Sequence, residues 1–199
     1  MPIIVDPAAY DKATAFDDAV ALCREFLNLN GLLHPEYIPT QGPIEGRWKN
    51  FGLYVDDGAR QRVWVNLKKS RPPTRTPGFS WSYPGSKADL TAPGITAHET
   101  GHHVQRMLGI RASNVVVKVA IKGEACVSGY EPHAGESFAE AMRLFILNPA
   151  LLLEGRPRRW NLLEGLGLRP VHFTPWRDVL VHAHPRIIAA VEGWIGRQR

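Results

Sequence analysis

The chain has 199 residues, 44% hydrophobic and 22% charged, an ordinary globular composition long enough to bury a core and short enough to be one domain. No apolar run approaches the roughly 20 residues that cross a bilayer as a helix, which excludes a helical membrane span. The net charge of +5 suggests acidic partners. The densest basic clusters, Lys68-Lys69-Ser70-Arg71 and Arg156-Pro157-Arg158-Arg159, carry no nucleic-acid fold signature, so a solvated surface is favoured over nucleic-acid binding. Met1-Pro2-Ile3-Ile4-Val5-Asp6 has neither a basic n-region nor an adequate apolar h-region, so a cytoplasmic location is expected. Cys23 and Cys126 lack metal-type spacing and are expected to be reduced core thiols.

In chain order, residues 8–29 predict an amphipathic helix with Phe16, Val20, Cys23, Phe26 and Leu27 inward and Asn30-Gly31 as its stop. Pro35 to Gly46 reads as turns. Phe51–Val55 and Arg62–Leu67 predict two strands around Asp56-Asp57-Gly58, a hairpin in which Trp64 and Asn66 alternate with Val63, Val65 and Leu67, leaving one face exposed. Residues 68–92 are irregular and proline-rich. Phe79, Trp81 and Tyr83 alternate there, either walling a cleft or closing the core. Pro93, behind a cap at Thr91 or Ala92, opens a buried helix that runs through Ile95, Ala97, Gly101, Val104 and Leu108 to Gly109. Val115 to Ile121 is a strand or a buried helical segment, which periodicity does not separate. Glu136 to Phe145 predicts a helix with Phe138, Met142 and Phe145 as its apolar stripe and Asn148-Pro149 as its stop. A basic, proline-containing connector follows, then a helix from Trp176 to Trp194 interrupted near Pro185. The expected plan is therefore a single domain: helix and hairpin (1–67), irregular segment (68–92), core (93–148) and C-terminal helical region (149–199).

The chemistry is concentrated in His98-Glu99-Thr100-Gly101-His102. Residues four apart lie on one helix face, so both imidazoles can bind one ion, and Glu99 is placed to take a proton from a metal-activated water. Zinc is the expected metal for this donor set, although Co²⁺ or Mn²⁺ could occupy it in vitro. Gly101 costs about 1 kcal/mol against alanine in a helix interior, which points to close approach of another backbone or of substrate. For a third ligand, Gln105 and Leu108 stand where one common zinc pattern has glycine and histidine, and Asp178 is the only later aspartate. A glutamate remains. Glu136, Glu140 and Arg143 share one face of their helix; one glutamate there could reach the metal, and Glu140 could accept a ligand histidine's N–H. A solvated Glu-Glu-Arg face is the alternative.

The pair His-Glu-Thr-Gly-His-His at 98–103 and Glu-Ser-Phe-Ala-Glu-Ala-Met-Arg-Leu-Phe at 136–145 resembles the catalytic domain of the anthrax lethal factor family of zinc metallopeptidases. The resemblance covers roughly residues 91–147, and the family includes small bacterial and phage-encoded proteins. It implies an α+β zincin-like fold: a small twisted sheet, a metal-bearing active-site helix, and a second helix carrying the glutamate. It also implies His98, His102 and Glu136 as zinc ligands, Glu99 as general base, Glu140 supporting a ligand histidine, and hydrolysis of a peptide or protein substrate. Val127-Ser128-Gly129-Tyr130 resembles the family's oxyanion-stabilising stretch, which makes Tyr130 the candidate donor. His133 is an open alternative, whereas His103 is expected to point away from the metal on the helix surface. By the same resemblance, strand 62–67 could be an edge that pairs with an extended substrate. His182 and His184 are weak ligand candidates. The competing function is a catalytically weak or inactive zincin-fold structural protein, such as a phage virion or connector component partnered by other phage proteins. Retention of Glu99 argues against it. A basic nucleic-acid-associated protein with a fortuitous motif is the third reading.

Overall fold

The computed structural model describes residues 2–4, 6–47, 49–73, 88–110, 115–131 and 135–197. Phe79, Trp81, Tyr83 and His133 lie outside them.

Helix α1 (Lys12–Leu29) starts four residues later than periodicity suggests, because the Asp11 carboxylate accepts the Thr14 N–H at 2.9 Å and sets the cap there. Its end is as expected, with Asn30 at the cap and Gly31 at φ 65°. The stretch expected to be turns contains a strand, β1 (Glu36–Thr40). Pro39 speaks against a central strand, but β1 is an edge, where a missing N–H is tolerated. The hairpin forms as β2 (Gly52–Asp56) and β3 (Gln61–Asn66).

The strand order is β1-β3-β2, with β3 parallel to β1 and antiparallel to β2. The expectation that 62–67 is an edge is therefore wrong: β3 is the central strand and both its sides are occupied. The expected alternation also fails at Asn66, which is buried with its side-chain amide donating to the Gly42 carbonyl at 2.8 Å.

Helix α2 (Ala92–Met107) lies between two apolar layers. On one side Ala92 and Ile95 join Phe16, Val20, Val63, Val65 and Leu67 beneath the sheet. On the other, Ala97 and Val104 enter a larger core with α1 and α4 (Glu136–Leu147), where Phe138, Met142 and Phe145 are buried as the stripe predicts. The ambiguous segment after Gly109 contains a short helix, α3 (Val115–Ala120).

The region read as a connector is helical. α5 (Pro149–Gly155) and α6 (Pro157–Gly165) each begin with proline in the first turn, where its missing N–H costs nothing. The final helix is divided into α7 (Trp176–Val179) and α8 (Pro185–Gly196), and His184 caps α8 by accepting the Arg186 N–H at 3.2 Å. Both cysteines are free. Cys23 is a core thiol as expected, but Cys126 is exposed. No helix among the described residues is long and apolar enough to cross a membrane.

Candidate metal centre

Thr91 caps α2 by accepting the Gly94 N–H at 3.2 Å, and Pro93 follows in the first turn. Two turns on, α2 meets α4 at very short range. A Cβ on Gly101 would stand 2.8 Å from Ala139 Cα and 2.9 Å from Met142 Cβ, so the glycine permits the backbone approach that its cost suggested. That crossing sets the first residue of α4 opposite both histidines. Glu136 Oε2 lies 2.9 Å from His98 Nε2 and 3.2 Å from His102 Nε2.

These donors suit a metal ion. Bonds of 2.0–2.1 Å in a tetrahedral shell separate neighbouring donors by about 3.3 Å, close to both distances. Two imidazoles and one carboxylate are a donor set that a divalent metal ion accepts. His98, His102 and Glu136 form the one group of at least three such side chains within metal-binding reach among the described residues. Asp178, on α7, is not part of it. Glu136→Ala is expected to weaken metal binding by more than about 100-fold, the upper end for a residue merely behind a ligand. Unchanged affinity in a chelator competition would remove Glu136 from the site.

Behind His98, its Nδ1 lies 2.8 Å from Glu140 Oε1. Donation of the Nδ1–H to that carboxylate leaves Nε2 as the ring nitrogen that faces Glu136 and His102. Burial alone opposes charge on His98, but the Glu136 and Glu140 carboxylates overcome it and push its pKa up to about 10. Burial likewise opposes charge on Glu136, yet the two histidines hold its pKa at about 2. Glu140 and Arg143 are 1% and 0% exposed, so the solvated-face alternative is wrong: this face of α4 is its most buried polar surface.

Glu99 is buried beside the ligands at the floor of a cleft of about 1160 Å³, which also exposes His98, His102, Glu136 and Tyr130. Burial raises its pKa, against the lowering effect of His98 and His102, and the Tyr54 backbone N–H donates to it. The wall above it is β2. A Cβ on Gly52 would fall 2.6 Å from Glu99 Oε1 and 2.5 Å from Ile95 Cγ2. The role of Gly52 was missed in the sequence, although a glycine inside a strand is a signal for such close approach.

Tyr130 is 40% exposed, and its ring stands edge-on to His98 at 5.7 Å between centroids. Its loop is anchored through the next residue. Glu131 accepts the Ser137 hydroxyl at 2.5 Å, the Val127 N–H and the guanidinium of Arg159, which also pairs with Glu124 at 2.7 Å. Arg156 donates to the Cys126 carbonyl and stacks 3.6 Å from the Trp194 ring centroid. The reading of this basic cluster as solvated surface therefore fails for Arg156 and Arg159, both buried by partners distant in the chain.

His103 corrects another expectation. It does turn away from the ligands, but into the interior, where Nε2–H donates to the Leu33 carbonyl at 2.7 Å and Nδ1 faces the Tyr54 hydroxyl at 3.4 Å. Burial, foremost, holds its pKa below the ordinary 6.5. The unfolded chain takes up this proton near pH 6.5 and the folded chain only at lower pH, so the stability His103 contributes is complete above 6.5 and lost as pH falls below it. His103→Gln, which keeps an N–H donor, should lose less stability than the wild type between about pH 7.5 and 5.5. Parallel losses in urea midpoints at those pH values would show that His103 is not held neutral.

The fold and site define an α+β protein, with a three-stranded mixed sheet and eight helices among the described residues, whose His98–His102–Glu136 group is compatible with a metal ion. No family model, curated protein or solved structure matches the chain.

Proposed function

We propose that this protein is a zinc-dependent metallopeptidase of the zincin type, with His98, His102 and Glu136 holding the metal. The observation that carries the reading is the convergence of Glu136 on both histidines, with Glu99 in the same cleft and Glu140 behind His98. A structural zinc site has no use for Glu99. Zinc held there would supply a Lewis acid for the scissile carbonyl and bring the pKa of a water down toward about 7. Glu99 then accepts a proton from the attacking water and returns it to the leaving amine. Tyr130, which lines the cleft, is the residue to donate a hydrogen bond to the developing oxyanion.

Strand β2 takes the substrate-pairing role first expected of 62–67. Asn66 N–H donates to the Phe51 carbonyl, so the main-chain groups of Gly52 and Tyr54 turn away from β3 by the antiparallel alternation. An extended peptide in the cleft would lie along this edge and bond to the groups that Glu99 leaves open.

The test is metal content by elemental mass spectrometry on protein purified without an affinity-metal step, followed by a peptide-library screen. About one zinc per chain, lost in His98→Ala, with cleavage that a chelator stops, is the expected result. A chain that takes up no zinc after add-back and dialysis overturns the reading. Zinc without cleavage would leave a metal-bound structural protein.

A further inference from the structure

Resting on the metal-centre reading, we infer that Arg143 and Asp89 are positioning residues of that centre, joined in a closed loop that begins and ends on the metal-bearing helix. The loop starts at His98 Nδ1, 2.8 Å from Glu140 Oε1. Arg143 grips both oxygens of that carboxylate, Nε at 3.1 Å from Oε1 and Nη2 at 3.0 Å from Oε2. A two-point grip fixes the plane of the carboxylate as well as its place, which a single bond cannot do. The third guanidinium nitrogen, Nη1, lies 3.5 Å from Asp89 Oδ2, an ion pair without a hydrogen bond between two side chains that are not exposed.

Asp89 then returns the connection to α2. Its Oδ1 accepts the Thr91 N–H at 3.0 Å and the Thr91 hydroxyl at 2.8 Å, and Thr91 caps the helix that carries His98 and His102. The carboxylate is seated against the first turn: a Cβ on Gly94 would stand 2.2 Å from Asp89 Cγ. Glycine at 94 thus makes room for Asp89, as glycine at 101 makes room for α4.

A lone buried ion pair needs only Glu140 and Arg143. Here the same arginine is also paired by charge with Asp89, which in turn accepts from Thr91, the cap of the ligand helix. The orientation of the His98 ring and the start of α2 are therefore linked through one buried charge network. A ligand ring held this way need not be ordered when the metal arrives, which raises affinity.

The experiment compares Asp89→Asn, Arg143→Lys and Arg143→Met with the wild type. It measures the zinc dissociation constant by chelator competition, the visible absorption of the Co²⁺-loaded protein, and the melting temperature of the metal-free protein. Expected losses of zinc affinity are about 10-fold for Asp89→Asn and up to about 100-fold for Arg143→Met, with Arg143→Lys between them and a shifted Co²⁺ spectrum in each. If Arg143→Met does not fold, the two conservative variants decide. Lower melting temperatures with wild-type zinc affinity and Co²⁺ spectrum would reduce both residues to fold stabilisers and overturn the inference alone. A wild type that takes up no zinc would overturn the metal-centre reading and this inference together.

Discussion

Under the proposed metallopeptidase function, Glu99→Gln is expected to lower the rate of peptide hydrolysis by about 10²–10⁴-fold, the usual contribution of a general base, while leaving zinc at about one per chain. The side chain stands outside the His98–His102–Glu136 group, so its charge is not needed to hold the ion. Glutamine has the same shape and keeps an oxygen to accept the Tyr54 N–H, so the contact with β2 survives. What it lacks is a basic oxygen for the proton of the attacking water. Steady-state kinetics beside elemental analysis on the same preparation checks this. Wild-type hydrolysis in the variant would remove Glu99 from the chemistry, and loss of zinc with the activity would make it a metal-holding group instead.

Gly101→Val should cost about 3 kcal/mol or more, at or beyond the upper end for overpacking and a large part of a fold's roughly 5–15 kcal/mol. The added Cβ would meet Ala139 Cα at 2.8 Å, and this neighbour is backbone, which no rotamer change moves aside. The two further methyl groups of valine widen the conflict. α2 and α4 must separate, and Glu136 must move from the histidines it now touches at 2.9 and 3.2 Å. At about 2–4 °C per kcal/mol for a chain of this size, the melting temperature falls by roughly 6–12 °C, and zinc affinity falls with it. Gly101→Ala is expected to lose less, because alanine regains about 1 kcal/mol of helix propensity. Thermal unfolding of the two variants with and without zinc makes the measurement. A valine variant as stable as the wild type would show that the helix crossing is not tight at this point.

The two histidines were legible because their spacing is local. A separation of four puts His98 and His102 on one helix face whatever surrounds it, and the Phe138, Met142 and Phe145 stripe orients α4 by the same rule. Gly101 showed its cost before its reason. Strand pairing was less legible: β3 is central only because β1, some 25 residues upstream, adds to its far side, with Pro39 disguising that strand. The short helices α5 and α6 were hidden by prolines that open them rather than break them.

Charge was the least legible property. Arg143, Arg156 and Arg159 have no local feature that distinguishes them from solvated arginines, yet all three are buried. Their partners are Glu140 and Asp89, the Cys126 carbonyl and Trp194, and Glu124 and Glu131. Buried charge is tolerated only where a counter-charge or hydrogen-bonding group is at hand; Glu140 is local to Arg143, but the other contacts cross tens of residues and exist only once the chain has closed. The sequence by itself therefore determined α1, α2 and α4, their inward faces and the side chains able to bind a metal, because those follow from a period of a few residues. Tertiary structure alone decided which strand edge borders the cleft, which charges lie inside, and that Glu136 meets both histidines, because each depends on elements brought together from distant parts of the chain.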